Sequence, residues 1–545
     1  MHSLFASLCC AVLFVTLTSD LAAQQRLTDS VAPVIRRVYF DRRDVFDERH
    51  DDWFFLASWA NALHTLTREY ILEDELLFDE EEDLDTTLVI ETERNLRRTG
   101  LFANVTTIVD TVSPGVVDVT LRTQDRFSLR PAILFGTGGG ITNLGGKLEE
   151  MNLAGTATQV LVQGLYRTEN DIGWEGLVQV TQRRLFRSEI GMTAALQSNS
   201  VRTTQLLSFT KPYRTTMTPW AFAISAVNAF GRDFAYRDGT STLLPFHERS
   251  YSGWISQASG DVDRLFVSAS LRLDDVQRTI PTSRQAFDNT GQFLVAFSSI
   301  RQRFQRSQFL NGYETEDVMS GAWGTAVIGR VFSLGNGGQT MWYVGGMAEQ
   351  SGYVADGLYL FGHVQGASGF GDRVPLYTYV EVHGQGHVRL SDHFVVTSRL
   401  RTQTAWNWSA YRQLVLDVES GLRGYDANRL VGDNRMIGNA EVRWFPQWKV
   451  WIAGMSAVAF WDAGTVWSQG TSIGATRWHH AIGLGLRFHN LKASGDDAIF
   501  RLDFAMNLDD KRFGGIVFTT NQLFSAFGSH SYRPPAVFGR TIDAQ

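Results

Sequence analysis

Apolar residues recur along this chain with two different periods, and the change falls near residue 130. Before it the pattern is mixed. Val34 to Phe40 reads as a strand, and Phe55, Trp59, Leu63, Leu66 and Tyr70 then recur about once per helical turn, predicting a helix. A second helix is expected from about Thr87 to Arg98. There Glu91 and Glu93 precede Arg94, Arg97 and Arg98, the order the helix dipole favours, and Gly100 stops it. Val105–Val109 and Val116–Arg122 read as two strands joined by a turn at Ser113-Pro114-Gly115. The order is strand, helix, helix, strand, strand, a small α+β domain over 33–125.

After residue 130 the period is two. Leu265, Val267, Ala269, Leu271 and Leu273 alternate with Arg264, Phe266, Ser268, Ser270 and Arg272. Ala440, Val442 and Trp444 alternate with Asn439, Glu441, Arg443 and Phe445, and Phe500, Leu502, Phe504 and Met506 with Arg501, Asp503, Ala505 and Asn507. Charged residues in mid-strand must face water or a polar lumen while the other face is apolar. Segments of about ten residues with this alternation mark transmembrane barrels. A soluble propeller would show an internal repeat, and none is found. The expected fold is an all-β transmembrane barrel of about 16 antiparallel strands over 130–527, at about 25 residues per strand and connection. Between 16 and 20 strands can be drawn, and 240–380 is where they cannot be fixed. Residues 528–545 are expected to form a C-terminal tail, disordered or tucked into the periplasm.

Composition sharpens this picture. Residues 1–23 have the apolar run and small-residue end of a secretory signal peptide, and both cysteines, Cys9 and Cys10, lie within it. The mature chain would then have neither disulfides nor thiol chemistry. After residue 23 no apolar run reaches the ~18–20 residues of a spanning helix. Thirteen of the 15 Trp follow residue 130, as interfacial girdles would require. The net charge of −7 argues against nucleic-acid binding. The 50 basic residues comprise 45 Arg and 5 Lys, which fits a GC-rich genome and also suits fixed pairing inside a lumen.

Catalytic chemistry is not evident. Gly470-Thr471-Ser472-Ile473-Gly474 matches Gly-x-Ser-x-Gly but falls between two strands rather than on a strand-to-helix elbow. His479 and His480 are adjacent on a strand and point to opposite faces. The run Asp79–Asp83 lacks the spaced geometry of a calcium loop. No enzymatic activity, metal or cofactor is expected.

Several short motifs converge on one family. Glu91-Thr92-Glu93-Arg94-Asn95-Leu96-Arg97 with Gly100-Leu101-Phe102 resembles a POTRA domain, and Thr123–Leu129 resembles the junction where such domains enter a barrel. Asn152-Leu153-Ala154-Gly155-Thr156 is similar to the early hairpin of BamA- and TamA-type barrels. Leu422-Arg423-Gly424-Tyr425 resembles the Arg-Gly-aromatic motif of that family's lumen-inserted loop, and Glu441-Val442-Arg443 lies on the next strand. Phe460-Trp461-Asp462-Ala463-Gly464 matches the Phe-x-Asp-x-Gly motif of the strand after it. Five strand candidates follow the loop, near 437, 453, 479, 499 and 514. The chain departs from the family in having room for about one POTRA domain and in the residues after Phe527.

This resemblance to the outer-membrane assembly and secretion barrels implies a sixteen-stranded barrel with one periplasmic POTRA domain, and work in inserting or translocating proteins at the outer membrane. It implies that Arg423 folds back into the lumen to meet Asp462. The residues agree: Gly424 permits close approach, Tyr425 can stack beside the guanidinium, and an Arg fork suits a carboxylate. A seam is expected between a first strand at about Arg130–Thr137 and a last at about Gly514–Phe524, with Gly136, Gly138, Gly514 and Gly515 weakening the packing there. The expected partners are outer-membrane lipid, a client β-barrel or secreted polypeptide, and a periplasmic partner at the sheet edge of the small domain. The alternative is a passive pore or structural barrel without clients.

Overall fold

The computed structural model describes residues 32–45 and 64–540, apart from 216 and the segments 238–239, 261–262, 280–286, 308–315, 336–337, 373, 410–411, 451–452, 491–498 and 520–531. The signal-peptide reading at 1–23 lies outside the described residues.

The N-terminal unit is built from β1 (Val34–Arg43), α1 (Glu69–Glu73), α2 (Thr86–Arg98), β2 (Phe102–Ser113) and β3 (Val116–Asp125). Its sheet runs in the order β1-β3-β2, with β3 parallel to β1 and antiparallel to β2. Asp85 caps α2 by accepting from the Thr87 amide at 2.7 Å, and Arg97 and Arg98 occupy its last turn. Ile35, Val117, Val119, Leu72, Leu96 and Leu121 are buried in two adjoining clusters.

The first expected helix fares differently. Phe55, Trp59 and Leu63 lie outside the described residues, Leu66 lies in a non-helical run that ends on the extended Arg68, and only Tyr70 falls within the short α1. The extended run is pinned by other partners. Asp125 accepts from the Thr67 amide and hydroxyl, both at 2.7 Å, and the Arg68 amide donates to the Gly155 carbonyl at 2.9 Å.

From Leu129–Gly138 to Arg512–Thr519 the chain forms a closed antiparallel barrel of twenty strands among the described residues, not about sixteen. Five strands follow residue 433, at Asn434–Val450, Ala453–Trp467, His479–Asn490, Ile499–Asn507 and Arg512–Thr519. The excess lies before it, where strand and connection together run shorter than the 25 residues assumed. Two residues join the hairpins at 139–140 and 356–357. In that half the inner face also carries large apolar residues. Phe266, Ile300, Trp323 and Tyr343 point inward and are buried, so the contrast between faces that marks a strand is lost.

Elsewhere the alternation holds. Phe500, Phe504 and Met506 are exposed on the outer face while Arg501, Asp503 and Asn507 are buried inside. An apolar outer belt over a closed wall of paired strands is what hydrocarbon demands of a spanning structure. Among the described residues no helix is long and apolar enough to cross a membrane.

The N-terminal unit sits at one end of the barrel. Glu75 accepts from Arg184 at 2.8 Å and Arg214 at 2.9 Å, and Glu73 pairs with Arg187 at 2.9 Å. The tail is neither disordered nor outside the barrel where it is described. Residues 532–540 lie in the lumen, with Val537 4% exposed among Tyr343, Tyr377 and Trp408. The last wall strand ends at Thr519, so Phe524 and Phe527 lie outside the described residues.

Candidate functional site

The chain between Trp406 and Asn434 leaves the wall and folds into the lumen. Its base is a short ribbon in which Leu414–Leu416 pairs with Leu430–Gly432. Asp417 then ties the bend, accepting from the amides of Glu419 and Ser420 at 3.0 Å and of Asn428 at 2.9 Å. A carboxylate that caps three amides fixes the loop backbone without help from the wall. Leu416, Leu422 and Tyr425 pack with Ile437 and Ala481 of the wall. Gly464 admits this packing, because a Cβ there would lie 2.9 Å from a Leu416 methyl.

Arg423 stands at the tip, fully buried. Its Nε and Nη2 meet Asp462 Oδ2 and Oδ1 at 2.8 and 2.7 Å, a two-pronged fork. Nη1 reaches Glu441 Oε1 at 2.9 Å and Asp503 Oδ2 at 3.2 Å, and the backbone amide donates to Asp462 at 3.3 Å. Arg443 holds the far oxygen of Glu441 at 2.8 Å, Arg487 holds Asp503 at 2.5 Å, and Asn439 donates to Asp462 at 2.6 Å. Charges this deep are tolerable only when every lone pair is spoken for, and here positive and negative groups alternate around the ring.

The aromatic partner is not the expected one. Phe460 lies under the guanidinium, 3.4 Å from ring centroid to Cζ, while Tyr425 turns edge-on to His479 at 5.6 Å. Tyr425 is drawn away because its hydroxyl donates to the His480 carbonyl at 3.1 Å. The motifs had not pointed to Asp503, Arg487 and Asn439 as partners. Their signal was present as polar residues on the inner face of strands 434–450, 479–490 and 499–507.

The loop also reaches the barrel's closure. The first and last wall strands share one registered pair among the described residues, Thr137 with Phe518, and the Phe135 and Phe518 rings meet outside at 5.2 Å. Inside, the Ala427 amide donates to the Gly139 carbonyl at 2.8 Å, on the turn that ends the first strand. On the other side Gly514 faces the loop tip. A Cβ on Gly514 would stand 2.3 Å from the Gly424 carbonyl oxygen and 2.4 Å from its Cα. Gly514 is the extra residue of a bulge, since Ala505 pairs with Gly515 and Met506 with Phe513. Its lack of a side chain thus admits the loop, whereas the expectation was looser packing between strands. Gly138 packs on Val517 and Val418, Gly136 lies near the Phe518 carbonyl, and Gly515 has open space around it at φ +110°.

Ser472 caps a single 3-10 turn on a loop, accepting from the Gly474 amide at 3.3 Å.

The fold and site together define a closed barrel of membrane type with an arginine-tipped loop locked in its lumen. Among solved structures the chain is similar to BamA from Haemophilus ducreyi lacking POTRA domains 1–3, at 13% identity over 89% of this chain and 84% of that one, with a TM-score of 0.46. It is also similar to CdiB from Acinetobacter baumannii and CdiB from Escherichia coli, each at 12% identity. These cover 89% and 90% of this chain and 73% and 76% of theirs, both with a TM-score of 0.42. Scores at this level carry no functional statement. No family model and no curated protein matches the sequence.

Proposed function

We propose that this protein sits in the outer membrane and assists the insertion or translocation of polypeptides there, with the N-terminal unit acting as a POTRA-like domain in the periplasm. The observation that carries the reading is the lumen loop's grip on both sides of the barrel closure. Gly424 is seated against the bulge at Gly514, Ala427 is hydrogen-bonded to Gly139, and Arg423, next to Gly424 in the loop, is locked to the wall. A loop so placed supports the junction from within and can transmit a change in the lumen to it. The motif resemblance points the same way.

In the N-terminal unit β1 and β2 are the edge strands, and Glu81 and Glu82 already bond the outer side of β1 at Ile35, so an extended client or partner would add at β2, 102–113. Val109 and Val112 are exposed on that strand. A passive pore is the second reading. It is favoured by a charged cavity of about 480 Å³ in the lumen, lined by Arg167, Glu175, Arg202, Asp233 and Arg278.

The test is photocrosslinking in cells from Thr106, Val109 and Val112, with Asp118 on the central strand as control. Capture of unfolded barrel or secreted polypeptides from β2 alone supports the proposal. Capture of nothing beyond this chain and lipid supports the passive pore.

A further inference from the structure

The segment Tyr532–Arg540 threads the lumen from the end that carries the N-terminal unit towards the other. Tyr532 enters an aromatic box, with ring centroids 5.2–5.3 Å from Tyr213, Trp254 and Phe266, and its hydroxyl donates to Ser268 Oγ at 2.7 Å. The Arg533 guanidinium lies over Trp323 and pairs with Glu349 at 3.3 Å. Ser270 donates to the Pro535 carbonyl at 2.9 Å. The Phe538 amide donates to Tyr343 Oη at 2.8 Å, and the Tyr377 hydroxyl donates to the Phe538 carbonyl. Arg540 closes the run on Asp274 at 2.7 Å, a carboxylate with no solvent exposure.

Three features make this a built seat rather than a collapsed end. Its groups come from at least four wall strands, and their order along the lumen (aromatic box, acid, hydroxyl, tyrosine pair, acid) follows the order of Tyr532, Arg533, Pro535, Phe538 and Arg540. The inner face carries Trp323, Tyr343 and Tyr377, each at most 2% exposed, where a water-filled lumen would have polar groups. Finally, the segment is not a misplaced strand. Side chains of the wall hold its backbone, and Pro534 and Pro535 have no amide proton with which to enter a ladder.

We propose that this seat is a lumen binding site for extended polypeptide carrying aromatic and arginine residues at these spacings, and that the chain's own segment 532–540 occupies it at rest as a displaceable plug. Tethering to the last wall strand gives the segment an effective concentration on the order of millimolar, enough to keep the seat filled until a competing segment arrives. That a client is the competitor rests on the proposed function. The plug itself does not, and the test uses purified protein with no client.

The measurement is single-channel conductance in planar bilayers, comparing the full chain with a chain ending at His530. The truncated barrel should conduct severalfold more. A synthetic peptide of residues 532–540 should return it to the low level, and the peptide with Arg533→Ala and Arg540→Ala should need more than about tenfold higher concentration. Equal conductance of the two chains, or equal block by the two peptides, overturns the proposal. Should the truncated chain not fold, the full chain with Val537→Cys gives the answer, because the only natural cysteines are Cys9 and Cys10. A membrane-impermeant thiol reagent should label it far more slowly than Ala536→Cys, which is exposed. Adding Phe538→Ala and Arg540→Ala should abolish that difference. Rapid labelling of Val537→Cys in the otherwise unchanged chain overturns the proposal.

Discussion

Arg423 and Asp462 meet through two parallel hydrogen bonds of 2.8 and 2.7 Å, with neither side chain exposed to solvent, although 39 residues separate them in sequence. Glu441 and Asp503 complete the guanidinium's shell, so the pair is the centre of a network and the two partners are not equivalent. Arg423→Ala leaves three buried carboxylates facing one another and should destabilise the folded barrel by about 3–5 kcal/mol. Asp462→Ala leaves Arg423 two acids and should cost less. The double variant should cost no more than Arg423→Ala alone. Urea titration of the folded band on unheated gels gives the cycle, and additive costs would remove the pair from the account.

Gly514 approaches Gly424 so closely that a methyl group on Gly514 would strike the loop backbone. Gly514→Ala should force the loop tip off the last wall strand and cost about 1–3 kcal/mol. Gly515→Ala, next to it but in open space, strains only its own φ of +110° and should cost less. The same titration compares them, and a costlier Gly515 variant would show that the loop does not bear on the bulge.

Val178 and Gln179 are neighbours on one wall strand with opposite outlooks, Val178 outward and half-exposed, Gln179 facing the lumen. Val178→Arg should cost about 2–4 kcal/mol if it lies near the bilayer midplane, while Gln179→Arg should cost little. Equal sensitivity in lipid bilayers would mean the faces are assigned wrongly.

Asp41 and Asp118 tie β1 to β3. Arg43 and Arg122 hold the Asp41 carboxyl below its ordinary 3.8, and Arg36 does the same for Asp118. A lowered folded-state pKa stabilises above the unfolded value and is lost as pH falls through the folded one. Hydrogen exchange of the β1 amides should therefore be slow at pH 5 and quicken, once corrected for intrinsic rates, only below about pH 4. Unchanged protection at pH 2–3 would show that these pairs do not secure the strand.

How far the sequence reaches is set by which faces the chain makes chemically distinct. Strands 434–450 and 499–507 present charge inward and Val, Phe or Leu outward, so alternation alone located them. The five strands after the loop begin within three residues of where they were expected. Between 220 and 406 large apolar residues also stand on the inner face, because Phe266, Trp323 and Tyr343 pack against the chain's own tail. The strand count there was beyond a reading of period. The Arg423–Asp462 contact could be expected from motifs on either side, since each supplies one half of a fork. Asp503 looked like any other lumen-facing acid, because the third acid around Arg423 depends on where barrel closure brings strand 499–507. The seat of Tyr532–Arg540 had no local signal at all. Proline and arginine near a terminus read as disorder unless the complementary surface, scattered over several strands, is known.

The proposed function requires that the junction supported by the loop part for a polypeptide to pass. Thr137 and Phe518 are the registered pair across that junction, close enough for a disulfide between antiparallel neighbours. With Thr137→Cys and Phe518→Cys, oxidised cells should keep a folded, heat-modifiable barrel yet lose delivery of the polypeptides captured from β2, and reduction should restore it. Delivery that continues unchanged through a barrel shown to be fully crosslinked would contradict the account.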